Sequence, residues 1–490
     1  MTWKNVKEMM FMKRKSGVLM HVSTLPGEYG IGSFGREAKY FVDFLCESGF
    51  SYWQTLPFCM TDEYNSPYKS LTAFGGNYLF IDLPTLYEKG LLTEAELYAA
   101  SQKTPYRCEY DRLSKERLPL LKKASQRVSN VEKNKIKEFL QNHPELSRAA
   151  EFLALREKNL DKPWQEWTQN TPDADTLFAW QFIQYEFFRE WRDIKEYANS
   201  KGIKIIGDVP IYVALDSCDV WAHKELFLLD KDNRPKCVAG VPPDYFSADG
   251  QLWGNPLYDW REMKKDGYAW WCERIKYMLT IFDGVRIDHF RGFESFWSVP
   301  ASAKTAREGR WVKGPGRALI DKIKEVAQDK LIIAEDLGDI TPEVEKLLKY
   351  SGFPGMRVFQ FAFLGDRDSV HLPHNFDKNS VAYTGTHDNA TLLSYTWEVT
   401  PEERRAIFSY CGYDGDDKAQ GCRAIIRKML SSSADTVIIP IQDILIYGSD
   451  TRMNVPGVAN GNWQYRLTRD QIDLVDRKKF RAWNYDCFRI

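Results

Sequence analysis

The sequence of 490 residues lacks a charge imbalance, because its 67 lysine and arginine residues are nearly equal in number to its 68 aspartate and glutamate residues. The resulting formal net charge of −1 gives no electrostatic basis for binding nucleic acid or an anionic membrane. Nowhere does the chain approach the roughly 18 consecutive apolar residues of a membrane-spanning helix. The composition therefore predicts no nucleic acid and no membrane among its partners.

Paired cysteine motifs are also missing, since the nine cysteines are scattered and no Cys-x-x-Cys occurs. This spacing argues against a disulfide framework and a zinc site, and it predicts free thiols in a reducing compartment. Five basic residues interrupt the short apolar stretch at the N-terminus, where no small-residue cleavage site follows. We therefore expect no signal peptide and a cytoplasmic protein.

The common cofactor motifs are absent as well. There is no Gly-x-x-x-x-Gly-Lys loop, no His-Glu-x-x-His and no dinucleotide fingerprint after a strand-like segment. We therefore expect neither a cofactor nor a metal. The near-zero net charge and the lack of a heptad pattern leave a monomer or weak homodimer as the default assembly.

What the sequence does contain is enough apolar material for a large core, with 43% hydrophobic and 14% aromatic residues. Eight strand-like segments alternate mostly with helical patterns, which favours an α/β fold, a parallel (β/α)8 TIM barrel with helical insertions. A doubly wound open sheet is the alternative. The segments are 18–22, 52–57, 203–209, 284–288, 331–336, 356–361, 381–388 and 436–443.

Helix signals mark several of the connections. An apolar stripe runs through 35–48, and capping boxes begin at Thr93 and Thr400. Thr341 and a following proline predict a capped helix start, and Gly352 predicts its end.

We interpret residues 1–490 as a single catalytic barrel domain. Residues of about 84–200 are rich in Glu, Lys, Leu and Ala, which predicts a largely helical inserted subdomain after the second strand. A stripe of aromatic residues at helical spacing within it is best explained by packing. The stripe comprises Phe182, Tyr185, Phe188 and Trp191.

Polar residues follow the predicted strands at the end where barrel active sites lie. Arg286 and Asp288 alternate on one strand, and Glu335 follows an apolar run that should raise its pKa. Several carboxylates without a cofactor motif fit glycoside cleavage, which needs a nucleophile or base and an acid. The other polar strand-end residues are His21, Gln54, Asp208, His289, Asp336, His387, Asp388, Gln442 and Asp443.

Longer motifs identify a family. From about Gly17 to Arg466 the chain resembles the 4-α-glucanotransferases (amylomaltases or disproportionating enzymes) of the α-amylase clan. The resemblance rests on Ser66-Pro-Tyr68, Ala73-Phe-Gly-Gly-Asn77, Gly207-Asp-Val-Pro-Ile-Tyr-Val213, Val241-Pro-Pro-Asp-Tyr-Phe246, Gly250-Gln-Leu-Trp-Gly-Asn-Pro256, Arg286-Ile-Asp-His289, Ala334-Glu-Asp336, Gly385-Thr-His-Asp388 and Gly461-Asn-Trp463. Two features depart from the usual family pattern: the segment that precedes Ser66, and the residue Tyr78. Both departures affect the expected glucan contacts rather than the reaction.

This resemblance implies roles for individual residues. Asp288 would be the nucleophile that forms a covalent glucosyl-enzyme, Glu335 the general acid/base and Asp388 the stabiliser of the transition state. Further residues would bind the glucan, with Phe246 and Trp253 on an active-site loop at about 241–256. The full binding set is Tyr68, Asp208, Arg286, His387, Phe246, Trp253 and Asn462. The implied partners are α-1,4-glucans and maltooligosaccharides.

Several of these residues also have plain structural explanations. Asp288 and Arg286 can form a buried ion pair, and Asp336 fits a salt bridge or helix cap better than catalysis. His21 and His289 suit a buried structural role as well as a sugar contact, and Asp443 could anchor hydrogen bonds.

Three rival functions remain open on the sequence. The first is an α-glucan hydrolase of the same clan, because residue spacing does not separate transfer from hydrolysis. The second is an inactive glucan-binding protein, which the presence of all three carboxylates disfavours. The third is a metal-dependent barrel hydrolase, for which only His21, His289 and His387 are candidate ligands.

Overall fold

A computed structural model describes residues 14–243 and 248–490 of the protein. Within these residues the backbone forms two β-sheets with helices between their strands. The strands are β1 (Lys15–Leu19), β2 (Tyr52–Gln54), β3 (Lys204–Val209), β4 (Cys237–Val241), β5 (Gln251–Pro256), β6 (Gly284–Ile287), β7 (Ser295–Pro300), β8 (Arg310–Lys313), β9 (Leu331–Ala334), β10 (Gly355–Val358), β11 (Ser380–Tyr383) and β12 (Thr436–Pro440).

Eight of these strands close into a parallel barrel in the order β1, β2, β3, β6, β9, β10, β11 and β12. The last strand pairs with the first, with Thr436 beside Lys15 and Pro440 beside Leu19. This pairing confirms the predicted (β/α)8 barrel and excludes the open doubly wound sheet, since an open sheet leaves two edge strands unpaired. All eight predicted strands occur, although most of them end before the polar residues that the predicted segments include.

The barrel strands are short and mostly apolar. Val285, Ile333 and Val437 are fully buried, as expected for parallel strands that are covered by helices on their outer face. The main exception is a pair of neighbours in the sheet register, Asp208 on β3 and Arg286 on β6. Both are buried, so they neutralise each other inside the protein rather than in water.

Helices occupy the connections, with the longest ones between β2 and β3. They are α1 (Arg36–Glu47), α2 (Leu83–Glu88), α3 (Glu94–Ala99), α4 (Tyr110–Gln126), α5 (Asn130–Asn142), α6 (Pro144–Lys158), α7 (Ala174–Ser200), α8 (Cys218–Ala222), α9 (Trp260–Lys265), α10 (Ala269–Ile281), α11 (Arg317–Ala327), α12 (Pro342–Ser351), α13 (Leu392–Glu398), α14 (Pro401–Tyr410), α15 (Lys418–Ser431), α16 (Ile441–Ile444), α17 (Arg469–Asp473) and α18 (Arg477–Asp486).

The predicted helix boundaries are largely confirmed. Thr93 and Thr400 each form a complete capping box with the glutamate three residues on. Gly352 ends α12 in the left-handed conformation at φ 73°. Thr341 precedes α12 as expected, but its side chain makes no capping hydrogen bond, so that part of the prediction is wrong.

Helices α2 to α7 all lie in the segment that we interpret as an inserted subdomain at about 84–200. Three members of its aromatic stripe, Phe182, Phe188 and Trp191, are buried, which confirms their packing role. The Trp191 indole N–H also donates to the Ile281 carbonyl at 2.8 Å and ties α7 to α10. The subdomain assignment itself stays a prediction.

A second sheet, of four antiparallel strands, was not predicted. Its strand order is β5, β4, β7 and β8. Strand β5 falls within the predicted active-site loop of 241–256, so the connection between β4 and β5 covers only 242–250. Phe246 lies outside the described residues. The reason for the difference is that β5 pairs with β4, and β4 in turn pairs with β7, which lies some 60 residues later in the sequence.

Two further properties concern the whole described chain. All nine cysteines are free thiols, as the sequence predicted. Among residues 14–243 and 248–490, every helix is too short or too polar to cross a bilayer.

Candidate active site

The barrel brings the predicted carboxylates to one of its two openings. Asp208 is near the end of β3, while Asp288 and Glu335 directly follow β6 and β9. Asp388 lies in the connection after β11. Because all barrel strands are parallel, their carboxyl ends meet at the same side, and residues far apart in sequence become neighbours.

Arg286 is the centre of a charged network at this opening. Its Nη1 donates to both Asp208 carboxylate oxygens at 2.8 and 2.7 Å, and its Nη2 donates to Asp288 Oδ1 at 2.8 Å. Burial acts to lower the pKa of Arg286, but the two carboxylates outweigh it and hold that pKa well above the usual value. The network fixes the orientation of Asp288 and leaves its side chain partly exposed.

Three aromatic rings lie beside this network. The Tyr68 hydroxyl donates to Asp208 Oδ2 at 2.6 Å, and its ring stacks on the His387 imidazole with centroids 5.2 Å apart. The Trp463 ring approaches both, at 5.8 Å from Tyr68 and 5.7 Å from His387. Burial is the largest cause of the raised pKa of Tyr68, so its hydroxyl keeps its proton as a donor.

The Glu335 carboxylate is half-buried against the loop that carries Asp288. Its Oε2 accepts the His289 backbone N–H at 2.7 Å, and its Oε1 accepts the Leu337 backbone N–H at 2.8 Å. Burial, followed by the charge of Asp288, raises the pKa of Glu335 to about 7, although both backbone N–H groups oppose the shift. A carboxyl group with this pKa can hold a proton near neutral pH and then release it.

Asp388 sits in a more open position, with 43% of its side chain exposed. Its Oδ1 accepts a hydrogen bond from Asn454 Nδ2 at 2.6 Å and lies 3.4 Å from His387 Nε2. Arg452 Nη2 donates to the Asp388 backbone carbonyl at 2.5 Å. The connection after β12 therefore fixes the side chain and the backbone of Asp388.

Trp253 lies on β5 at the side of the opening formed by the second sheet. Its ring packs edge-on against His289 with centroids 4.9 Å apart, and its indole N–H donates to Gln251 Oε1 at 3.2 Å. The ring is partly exposed, which leaves a face for a ligand. The matching prediction for Phe246 falls on residues that the structure does not describe.

Asn462 is buried and uses its amide inside its own loop. Its Oδ1 accepts the Val455 N–H at 3.0 Å, and its Nδ2 donates to the carbonyls of Val455 and Val458. These bonds hold the loop that also presents Asn454 to Asp388. They favour a supporting role for Asn462 over direct contact with a glucan.

Other polar residues at the strand ends have structural partners. Asp336 accepts hydrogen bonds from the Arg357 guanidinium at 3.0 Å and the Met356 N–H at 2.6 Å, which confirms the predicted salt bridge. Asp443 accepts from the Thr384 hydroxyl at 2.5 Å and the Leu392 N–H at 2.7 Å, so it is the expected hydrogen-bond anchor.

His21 is a buried neighbour of the site rather than an exposed ligand. Its Nδ1 lies 3.4 Å from the Thr55 hydroxyl, and burial followed by the charge of His387 lowers its pKa to about 3. Across residues 14–243 and 248–490, no cluster of three or more His, Cys, Asp or Glu side chains has the arrangement of a metal site.

Some participants were not predicted as site residues. The sequence pattern gave no signal for Asn454 and Arg452, because they lie in an irregular connection and reach Asp388 only through the fold. Trp463 belongs to a quoted motif, but only the structure places its ring against Tyr68 and His387.

The sequence was compared with known families and proteins. The family model for 4-α-glucanotransferase matches residues 20–472. A 4-α-glucanotransferase from Streptococcus pneumoniae is 44% identical over 482 residues, which cover 94% of both chains. One from Clostridium butyricum is 43% identical over 465 residues, covering 91% of this chain and 95% of the relative.

A solved structure agrees with these relatives. The amylomaltase from Streptococcus agalactiae, determined in complex with acarbose, is 38% identical and superimposes with a TM-score of 0.93. The match covers 97% of this chain and 99% of the other. The family match, the full-length relatives and the shared barrel establish that this chain belongs to the 4-α-glucanotransferase family.

Proposed function

We propose that this 4-α-glucanotransferase acts on α-1,4-glucans and maltooligosaccharides by a retaining double displacement. The observation that carries the mechanism is the contrast between its two carboxyl groups. Asp288 is held by Arg286 at 2.8 Å, whereas burial and the charge of Asp288 raise the pKa of Glu335 to about 7. A nucleophilic carboxylate beside a second carboxyl group that holds a proton near neutral pH is the pairing that retaining glycosidases use.

In the first step the Asp288 carboxylate attacks the anomeric carbon of the donor glucan. The glycosidic C–O bond breaks, and Glu335 gives its proton to the departing 4-oxygen. The product is a covalent glucosyl ester on Asp288 and a shortened glucan. This geometry requires the two carboxyl groups to be about 5 Å apart.

In the second step the 4-hydroxyl of an acceptor glucan or glucose attacks the same carbon. Glu335, now a carboxylate, takes the hydroxyl proton while the ester bond to Asp288 breaks. Each displacement inverts the anomeric carbon, so the α configuration is retained overall. The enzyme returns to its starting protonation state without a cofactor.

The remaining groups hold the reacting sugar. We assign Asp388 to the stabilisation of positive charge on the ring, a role that suits a carboxylate fixed by Asn454. Tyr68 offers a ring for stacking on the sugar. Asp208 and His387 contact Tyr68, and Arg286 holds Asp208, so these three residues would also help to position the sugar. Asn462 supports this side through its loop.

On the acceptor side, Trp253 and Phe246 would contact the incoming glucan. An aromatic surface favours a sugar ring over water because it buries apolar area that water does not offer. The second sheet carries Trp253, so a feature outside the barrel would decide how well the enzyme avoids hydrolysis.

Replacing Trp253 by alanine is therefore expected to raise hydrolysis relative to transfer. The ratio should change by about 2- to 12-fold, since one aromatic contact contributes roughly 0.5–1.5 kcal/mol beyond its buried area. The measurement is the rate of new reducing ends divided by the rate of glucose transfer, with maltotriose as the only substrate.

Trp397 provides the matched control, because it is 51% exposed on α13 and belongs to neither sheet. Its alanine variant should leave the ratio at the wild-type value. An unchanged ratio in the Trp253 variant would remove the acceptor role proposed for that ring.

The test of the proposed function is the product pattern from maltotriose over time. Disproportionation yields glucose together with maltopentaose and longer chains at a constant number of reducing ends. Glucose and maltose alone, with rising reducing ends, would show the rival α-glucan hydrolase. Glucan binding without any product would show the inactive binding protein.

A further inference from the structure

His289, directly after Asp288, adopts a backbone conformation that is uncommon for a residue with a side chain. Its φ of 51° and ψ of 49° lie in the left-handed region, and a short 3-10 turn over Phe290–Phe293 follows. Glycine, asparagine and aspartate reach this region readily, whereas β-branched residues are strongly disfavoured there. The backbone at position 289 therefore restricts which side chains can occupy it, and a β-branched residue is disfavoured there.

The consequence of this turn is that two successive backbone N–H groups point at the same residue. The His289 N–H donates to Glu335 Oε2 at 2.7 Å, and the Phe290 N–H donates to the Glu335 carbonyl at 3.0 Å. In an extended chain, successive N–H groups point in opposite directions, whereas alternating left- and right-handed residues make them converge. The left-handed residue thus creates the double attachment to Glu335.

The His289 side chain contacts a different part of the site. Its imidazole packs edge-on against the Trp253 indole with centroids 4.9 Å apart. Burial lowers the pKa of His289 to about 4 against the raising effect of Asp288, with Arg291 adding a second lowering effect, so the ring is neutral near pH 7. The ring acts here through its shape rather than its charge.

We propose that His289 is a positioning residue that connects the general acid/base to the acceptor side of the site. Its left-handed backbone aims an N–H at Glu335, and its ring orients Trp253 on β5. This inference rests on the proposed function, in which Glu335 transfers the proton and Trp253 faces the acceptor.

The two contributions predict separable effects on catalysis. The N–H bond stabilises the charged form of Glu335, so losing it should raise the pKa of that group. The other groups that act on Glu335 are the charges of Asp288 and Arg286 and the Leu337 N–H, and none of them changes in a His289 variant. Loss of the ring alone should instead weaken acceptor binding.

The backbone contribution is tested by comparing H289V with H289G in pH profiles of kcat/KM for maltotriose. Valine should move the alkaline limb to higher pH by on the order of one unit and lower kcat by at least tenfold. Glycine keeps the left-handed turn, so its limb should stay at the wild-type position. A shift of equal size in both variants, or in neither, would overturn this part.

The ring contribution is tested with glucose as acceptor, using H289G and H289N. Both variants should raise the acceptor KM several-fold and increase hydrolysis relative to transfer, while their alkaline limbs remain unchanged. An acceptor KM equal to that of the wild type in both would overturn this part. Each comparison requires that the wild-type enzyme transfers glucan segments. The products of the wild type from maltotriose would therefore show a failure of the proposed function before any His289 variant is measured.

Asn233 supplies a matched control for backbone strain. It has a φ of 59° in the turn of Leu229–Pro235, before β4, and contacts none of the site residues named above. N233V should lower the unfolding temperature through the same steric penalty, yet leave the pH profile and the acceptor KM unchanged. If N233V reproduced the kinetic changes of H289V, those changes would be an effect of stability and the proposal would fall.

Discussion

Replacing Glu335 by glutamine is expected to lower kcat/KM for maltotriose by about 10²- to 10⁴-fold, the usual contribution of a general acid/base. Glutamine has nearly the same shape, and its amide oxygen still accepts one of the two backbone N–H groups, from His289 and Leu337, that Glu335 binds, so the fold should survive. What it loses is the transferable proton. The comparison is made by product analysis at several pH values.

The pH dependence gives this prediction its sign. The pKa of Glu335 is about 7, so the group is protonated below pH 7 and ready to protonate the leaving oxygen. As the pH rises through about 7 the proton is lost, and kcat/KM of the wild type should fall. The residual activity of the glutamine variant should lack this alkaline limb.

A donor that needs no proton separates the two steps of the reaction. With α-maltosyl fluoride, whose fluoride departs unaided, the Glu335→Gln enzyme should still form a maltosyl ester on Asp288 and then release it slowly. Glu343 on α12 provides the control, since its exposed carboxylate undergoes the same substitution outside the site. Full activity with an unchanged alkaline limb in Glu335→Gln would assign the acid role to another group.

Replacing Asp288 by asparagine is expected to have the larger effect, a loss of roughly 10⁴- to 10⁶-fold in kcat, as seen when a covalent nucleophile is removed. The amide nitrogen does not form the ester that the mechanism requires. Arg286 keeps its paired contacts with Asp208, so the site should retain its shape.

The covalent intermediate offers the decisive measurement. In the Glu335→Gln background, α-maltosyl fluoride should add a maltosyl mass to the protein, and a peptide map should place that mass on Asp288. Adding Asp288→Asn should abolish the mass increase while titration calorimetry still detects maltoheptaose binding. An adduct that persists in the double variant would show that another residue is the nucleophile.

Much of the barrel was predictable because its signals are local. Runs such as Leu331–Ala334 are apolar and bounded by polar residues, and the capping boxes at Thr93 and Thr400 need only four consecutive residues. Such patterns record the preferences of a short backbone segment, and no distant contact is needed to read them.

The candidate site was predictable to a smaller extent. Asp288, Glu335 and Asp388 follow strands, and parallel strands bring their carboxyl ends together in any barrel. The supporting contacts follow no such rule. Asn454 reaches Asp388 from a connection 66 residues away, and the loop amide of Asn462 serves its own loop.

The sequence by itself determined the eight strands, their alternation with helices and the carboxylates at the strand ends. Only the tertiary structure decided that a second sheet forms, because β4 pairs with β7, and this long-range pairing leaves no periodic pattern in the local sequence. It also decided the pKa of Glu335, which depends on burial and on Asp288. The left-handed turn at His289 has the same origin, since it is held by hydrogen bonds to a strand end 46 residues away. Local sequence preferences form the helices and strands, whereas the chemistry of the site depends on distances between side chains that exist only after these elements pack together.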